Sequence, residues 1–255
     1  MGTNMAELET YTTEQLAKWS EQLEEKTPQE ILQWAVDKFQ PGLTMACSFG
    51  GPSGMVLLDM VSQIDPTVEV FYLDTDFLFP ETYATRDKAI ERYGMQPVGY
   101  KSKFTPEQQA KQYGDELWLS DPDLCCDLRK VEPNARALEG KRAWIAGIRR
   151  DQGESRGDAP IVQWDEKFGL VKVLPLVTWL EADVWAYILK NDVPYNPLHD
   201  QSYPSIGCTY CTKPVAKGAD PRSGRWQGTG KTECGIHTDG DVIKIEPVDV
   251  STSRR

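Results

Sequence analysis

Apolar positions along the chain follow two rhythms, short β-type runs and stretches of helical spacing, and their order predicts the architecture. Thr12 with Gln15 and Thr27 with Glu30 read as capping boxes, the second with Pro28 at the first helical position, so a pair of helices should precede the stop at Gln40, Pro41 and Gly42. The apolar run 43–47 enters a glycine-rich turn (Gly50, Gly51, Gly54), and 55–64 has helical periodicity. A second β-rich run, 68–73, leads through a polar loop to a helix over 80–93, and 97–100 reads as a third strand. After a helix over 105–113, strands are expected at 143–148 and 170–174. The latter leads to a helix over 179–190, with Thr178 and Glu181 as its capping box. Strands alternating with helices imply an α/β protein with a parallel sheet covered on both faces. From Gly207 onward, repeated Gly and Pro leave little room for regular structure and predict a mobile C-terminal segment.

Composition narrows the function. Hydrophobic residues make up 40% and charged residues 26%, as in an ordinary globular chain. Lys plus Arg number 28 against 39 Asp plus Glu, a net charge of -11 that repels a phosphate backbone, so nucleic acid is not an expected partner. No run approaches the roughly 18 apolar residues of a membrane helix. The N-terminal stretch 1–10 has no signal-peptide pattern, and Ala6 stands where a myristoylation signal needs Ser or Thr. The expected location is therefore the cytoplasm, where six cysteines serve as buried thiols, metal or cluster ligands, or reactive groups rather than a disulfide framework.

In an open α/β sheet, ligands bind beyond the carboxyl ends of the strands, so the loops after 43–47, 68–73 and 143–148 should meet at one site. The loop 48–54 opens a helix and can cradle a phosphate, although it lacks the Lys of a Walker A loop; a tight structural turn is the plain alternative. Asp74, Thr75 and Asp76 suit ribose hydroxyls or a base edge, with helix capping as the alternative. Arg149 and Arg150 can hold phosphate or sulfate bidentately, or form a solvated turn with Asp151. Clustering with Lys141, Arg142, Arg222 and Arg225 would make a cationic pocket on an acidic protein.

Cys125 and Cys126 are adjacent, and Cys208 and Cys211 form a Cys-x-x-Cys pair. Such a pair alone serves zinc, redox chemistry or neither. Four thiolates suit zinc or an iron–sulfur cluster, and neighbouring cysteines, which diverge, favour the cluster. Cys47, in an apolar strand, reads as a core thiol. Cys234 lies in the glycine-rich tail and is either an incidental exposed thiol or a nucleophile whose pKa Lys231, His237 and the arginines lower.

The motifs SFGGPSGMVLLDM, FYLDTDFLFPETY, CCDLRKVEP, AGIRRDQ, PLVTWLEADVWAYI, NPLHDQSYPSIGCTYCT, SGRW and KTECGIH, in this order across nearly the whole chain, resemble the phosphoadenylyl-sulfate and adenylyl-sulfate reductase family. The cysteine pattern and KTECGIH are the most specific, and the cysteine pattern selects the adenylyl-sulfate branch. The resemblance implies an adenine-nucleotide α-hydrolase-like (Rossmann-like) fold and a 4Fe-4S cluster on Cys125, Cys126, Cys208 and Cys211. It implies reduction of adenylyl sulfate to sulfite and AMP with electrons from thioredoxin or a glutaredoxin-like reductant. Ser48, Gly50 and Gly51 fall in the nucleotide loop, Asp74 and Thr75 in the ribose and adenine loop, and Arg149 and Arg150 in the arginine loop. Lys130 matches a lysine between cluster and substrate, Arg222 and Arg225 match arginines near the phosphosulfate, and His237 joins the substrate set. Cys234 matches the nucleophile. Pro52 and Ser53 depart from the family's acidic pair, and the proline removes a backbone donor.

The expected division is a nucleotide-binding and iron–sulfur domain over 1–211 and a flexible segment over 212–255 carrying Cys234, with a homo-oligomer allowed. Three other functions compete: a phosphoadenylyl-sulfate reductase, an ATP-using adenylating enzyme on the same fold in which Cys234 is dispensable, and a colourless zinc-binding interaction module.

Overall fold

The computed structural model describes residues 11–153, 156–238 and 240–243. The stretch 1–10 and the end of the tail, 244–255, lie outside the described residues. The chain opens with α1 (Thr13–Leu23), whose first turn is capped by the Thr12 hydroxyl accepting from the Gln15 N–H, and α2 (Pro28–Phe39), which has the full capping box. Next come β1 (Leu43–Ala46), α3 (Pro52–Ile64), β2 (Glu69–Asp74), α4 (Pro80–Tyr93) and β3 (Val98–Lys101). Helix α3 starts three residues earlier than its apolar periodicity suggests, because Pro52 occupies a first-turn position that needs no donor.

Between β3 and β4 (Ala143–Ile145) the chain is more helical than its pattern predicts: α5 (Pro106–Tyr113), α6 (Leu117–Ser120), α7 (Pro122–Cys126) and α8 (Glu132–Leu138). A π-helical stretch, Asp127–Val131, joins α7 to α8. Pro133 has no N–H to offer the carbonyl four residues back, and the Glu132 N–H instead donates to Asp127, five residues back. Two strands follow, β5 (Val162–Asp165) and β6 (Leu170–Val173), then α9 (Glu181–Asn191). The capping box at Thr178 is not formed. Leu180 is the cap residue, its N–H donates to the Asp183 carboxylate at 2.8 Å, and the Glu181 N–H donates to Asp151 at 2.6 Å.

The six strands lie in the order β3-β2-β1-β4-β6-β5, parallel except for β5. The edge strand β5 has no counterpart in the sequence reading, because its two apolar positions, Val162 and Trp164, alternate with polar ones and make no continuous apolar run. It is held by a β5–β6 turn closing at Gly169 (φ +69°) and by Ser20 of α1, whose hydroxyl donates to the Val162 carbonyl and accepts its N–H. Side chains from β1, β2, β4 and β6 and from α2, α3 and α9 form the main core, with Phe39, Phe71 and Trp144 wholly buried. Parallel strands are joined by right-handed crossovers, a rule that puts α3 and α4 on one face, and α8 lies against β2 and β3. Strand order therefore reverses between β1 and β4. The crevice beyond their carboxyl ends is where an α/β sheet binds its ligand.

The region from Gly207 is poor in regular structure, as expected, but 207–238 is seated on the sheet's carboxyl end. Cys208 bridges Leu78, Thr212 bridges Arg225, and Trp226 is buried. Among the described residues no helix is long and apolar enough to cross a membrane.

Candidate active site

A cavity of about 320 Å³ opens at the β1/β4 switch point, bounded by the loop after β1, Thr75 after β2, Ala146 to Ile148 after β4, and the tail. In the first loop Phe49 takes a positive φ of 54° while wholly buried, a strained conformation held by its surroundings. The Ser48 hydroxyl accepts the Gly50 and Gly51 N–H groups at 3.4 and 3.3 Å. Carbonyls of the loop are bound from behind: His199 meets Gly50 O at 2.9 Å and Asn196 donates to Phe49 O. Gly51 caps α3 without a side chain, so the N–H groups of the first turn after Pro52 face the cavity as an anion seat. Gly147 allows the close approach of β4's end, since a Cβ there would lie 3.1 Å from Ser53 Cβ.

Lys130, Arg222, Arg225 and Arg156 line the same cavity. Arg225, half-buried, fits because Gly207 has no side chain; a Cβ there would lie 2.3 Å from its Nη2. Its guanidinium donates to Cys211 O and Ser205 Oγ and stands 4.3 Å above the Trp226 ring. Lys130, Arg222 and Lys231 also stand within 6.0 Å of that indole, whose π-face offsets part of their mutual repulsion. Burial pulls the Lys130 ammonium down, but the Cys208, Cys126 and Cys234 sulfurs more than reverse this and hold it charged.

The tail brings Cys234 into the cavity, and it holds itself there at several points. Lys231 pairs with Asp123, Lys167 donates to Gly235 O at 2.6 Å, and Gly235 uses a φ of +85° open to glycine. His237 is half-buried and stacks on Trp144 at 5.5 Å. Burial, reinforced by Lys172, Arg156, Lys167 and Arg222, pushes its pKa well below the usual range, so the ring is neutral at pH 7.

Of the expected site residues, Ser48, Gly50, Gly51, Thr75, Lys130, Arg222, Arg225, Cys234 and His237 meet at this cavity. Asp74 stands just behind it, accepting from Tyr83 Oη at 2.6 Å and pairing with Lys101. Arg149 is buried and donates to Ser53 Oγ at 2.6 Å and to Asp151, so it positions the α3 start rather than lining the cavity. Arg150 turns the other way, to Glu24 and the Ala159 carbonyl, because successive residues leaving a strand point to opposite sides. Lys141 and Arg142 precede β4 and so sit at the opposite end of the sheet, with Glu69 and with Lys38 O and Tyr11. Arg225→Ala should weaken nucleotide binding by roughly 1.5–3 kcal/mol, the range for a hydrogen bond to a charged group. Arg150→Ala should leave that affinity unchanged; isothermal titration of adenylyl sulfate into both variants in a Cys234→Ser background, which forms no adduct, checks both.

The four cysteines come from two elements. Cys125 and Cys126 end α7, while Cys208 and Cys211 flank a short turn tied to the loop after β2 through Thr209 N–H to Phe77 O at 2.8 Å. Cys125, Cys126 and Cys208 are buried and none is disulfide-bonded. Burial, then the Cys126, Cys208 and Cys211 charges, push the Cys125 thiol up to about 12; Cys211 is held at about 11, mainly by burial. Hydrogen-bonding groups surround the sulfurs: Thr75 Oγ1 lies 3.3 Å from Cys208, Gln109 Nε2 4.0 Å from Cys125, and Arg129 is 1% exposed with Nη2 unpartnered. Among the described residues no three or more His, Cys, Asp or Glu side chains are arranged to hold a single metal ion. Cys47 is a core thiol as expected, pushed up to about 12 by burial.

A phosphoadenosine phosphosulfate reductase domain matches residues 42–214, two thirds of the chain. The chain belongs to that reductase family. It is 50% identical over 82% of its length to an adenosine 5'-phosphosulfate reductase of Lysinibacillus sphaericus, covering 89% of that protein. A phosphoadenosine 5'-phosphosulfate reductase of Gloeobacter violaceus is 48% identical over 89% of the chain and 93% of its own length. The crystal structure of a phosphoadenylyl-sulfate reductase from Candida auris, a phosphate complex, superposes with a TM-score of 0.72 at 38% identity, over 80% of this chain and 98% of that one. An FMN adenylyltransferase of Candida glabrata shares the fold alone, with a TM-score of 0.54 at 16% identity. The family reading from the motifs and the adenine-nucleotide α-hydrolase-like fold are thus both borne out. Arg156, Asn196, His199 and Glu233 escaped the sequence reading because their partners lie far along the chain.

Proposed function

We propose that the protein reduces adenylyl sulfate to sulfite and AMP, with a thioredoxin-type dithiol as electron donor, in the cytoplasm. The observation that carries this reading is Cys234, delivered by the tail into a nucleotide-sized cavity among Lys130, Arg222 and Arg225. The α3 start and the Ser48 to Gly51 loop hold the nucleotide phosphate, Thr75 lies beside the sugar and base, and the cations take the sulfate oxygens. The Cys234 thiolate attacks sulfur: the Sγ–S bond forms, the S–O bond to phosphate breaks, and AMP leaves with the electron pair, its charge met by fixed cations. A reductant thiolate then attacks Cys234 Sγ, sulfite leaves with the pair of the broken S–S bond, and the reductant's second thiol resolves the mixed disulfide. For that exchange the stretch carrying Cys234 must lift from the cavity.

Cys125, Cys126, Cys208 and Cys211 fit a four-thiolate iron–sulfur cluster, because burial and neighbouring sulfurs raise the Cys125, Cys126 and Cys211 thiols and hydrogen-bonding groups lie against the Cys125 and Cys208 sulfurs. When bound, a 4Fe-4S cluster supplies structural and electrostatic support beside the site. This chain's own part there is Lys130, held charged between the cysteines and the cavity.

The test is sulfite release by anaerobically purified protein with reduced thioredoxin, given adenylyl sulfate or its 3′-phosphorylated counterpart. Turnover of the first at least about tenfold above the second is expected, a difference of ~1.4 kcal/mol. Preference for the second substrate would move the protein to the other branch, and release of neither would reject the reading.

A further inference from the structure

Glu233, the residue before Cys234, reaches across the cavity mouth to two of its cations. Both its carboxylate oxygens accept from Arg156 Nη2, at 2.9 and 3.0 Å, and Oε2 also accepts from Arg222 Nη2 at 3.1 Å. The three side chains are largely buried, at 18% exposure for Glu233, 13% for Arg156 and 28% for Arg222, so the pairing is poorly screened. Arg222 Nη2 donates as well to the Thr232 carbonyl at 2.6 Å, and Arg156 Nη1 is itself held by Gln152. The backbone just before the carboxylate is thereby fixed to the cavity wall. The other tail anchors act elsewhere: Lys231 on Asp123 of α7, Gly235 O on Lys167, and His237 on Trp144. Among the described residues Glu233 is the carboxylate that joins the tail to guanidiniums lining the cavity.

We propose that Glu233 is a positioning residue: by bridging Arg156 and Arg222 it seats the Cys234 thiol in the cavity, so that one pair of arginines serves both tail closure and the anionic substrate. The arginines carry two charges and Glu233 one, so the pair keeps net positive charge for a sulfate after the tail has closed. Glu233 touches no reacting atom; it sets how long the thiol stays within reach of one. The proposal rests on Cys234 as the nucleophile, and its test separates the two.

The anaerobic, iron-loaded protein is compared with Glu233→Gln and Arg156→Gln, with Glu233→Asp as the conservative variant. Iron content and circular dichroism serve as the check on folding. Without substrate, Cys234 alkylation by iodoacetamide, followed by peptide mass, should be about tenfold faster in Glu233→Gln and Arg156→Gln and intermediate in Glu233→Asp. With adenylyl sulfate and no reductant, single-turnover sulfonation of Cys234 in Glu233→Gln should fall about tenfold while AMP affinity stays within about twofold. Alkylation within twofold of wild type in both Gln variants overturns the proposal, and so does faster alkylation with sulfonation unchanged. Faster alkylation with no sulfonate even on wild-type Cys234 would leave the seating intact and reject the nucleophile.

Discussion

Cys234→Ser should lower sulfite release by roughly 10⁴-fold or more, the scale on which loss of a nucleophile acts, and leave AMP affinity within about twofold. The separation follows from the geometry. The nucleotide is held by the α3 start, Thr75 and the cations on Trp226, none of which depends on the Cys234 sulfur. A serine hydroxyl is a far harder nucleophile and is un-ionised at neutral pH, so it forms no adduct on sulfur. Wild-type protein with substrate and no reductant should gain the mass of a sulfonate on the Cys234 peptide, and reduced thioredoxin should discharge it as sulfite. An adduct on Cys47 instead is disfavoured, because burial holds that thiol at about 12. Undiminished turnover by the Ser variant would overturn the assignment.

Replacing Cys208 or Cys211 by Ser should remove the metal centre and the activity together. Anaerobic wild-type protein should be brown with about four irons per chain, and the variants colourless, by absorbance and iron analysis. The activity loss is expected to be complete because the cysteines and the site share their scaffold. Cys208 touches Thr75 at the cavity, Cys211 O holds both the Trp226 N–H and Arg225 Nε, and Lys130 follows the Cys125–Cys126 pair through the π-helical stretch. Losing a ligand therefore loosens Arg225, Trp226 and Thr75 at once. An active, iron-free Cys208→Ser variant would show that the pair is not ligating, and a colourless wild type with one tightly held zinc would reject the cluster.

The two halves of the site were legible to different degrees. The glycine loop, the Asp74–Thr75 loop and the arginine loop each follow a strand, and a parallel sheet delivers all such loops to one edge, so their meeting could be read from the order of elements. Local patterning could not tell which side chain of a loop faces inward. Arg149 and Arg150 look alike in sequence, yet one is buried against Ser53 and the other pairs with Glu24 at the surface. Lys141 and Arg142 belong to the far end of β4, a distinction of a few residues that amounts to the whole length of the strand.

By itself the sequence determined the elements whose signals are local: capped helices α1 and α2, the apolar parallel strands, the cysteine spacing, and the family those motifs resemble. Only the tertiary structure decided what rests on contacts between distant positions. These are the strand order that opens the crevice between β1 and β4, and the short edge strand β5, whose pairing with β6 and Ser20 makes up for its length. They also include the seating of a glycine-rich tail that no periodicity marks, held by Glu233 to Arg156, 77 positions away, and by His237 on Trp144. Periodicity records how each element buries its own face, whereas an ion pair across the fold leaves no trace in the spacing of either partner.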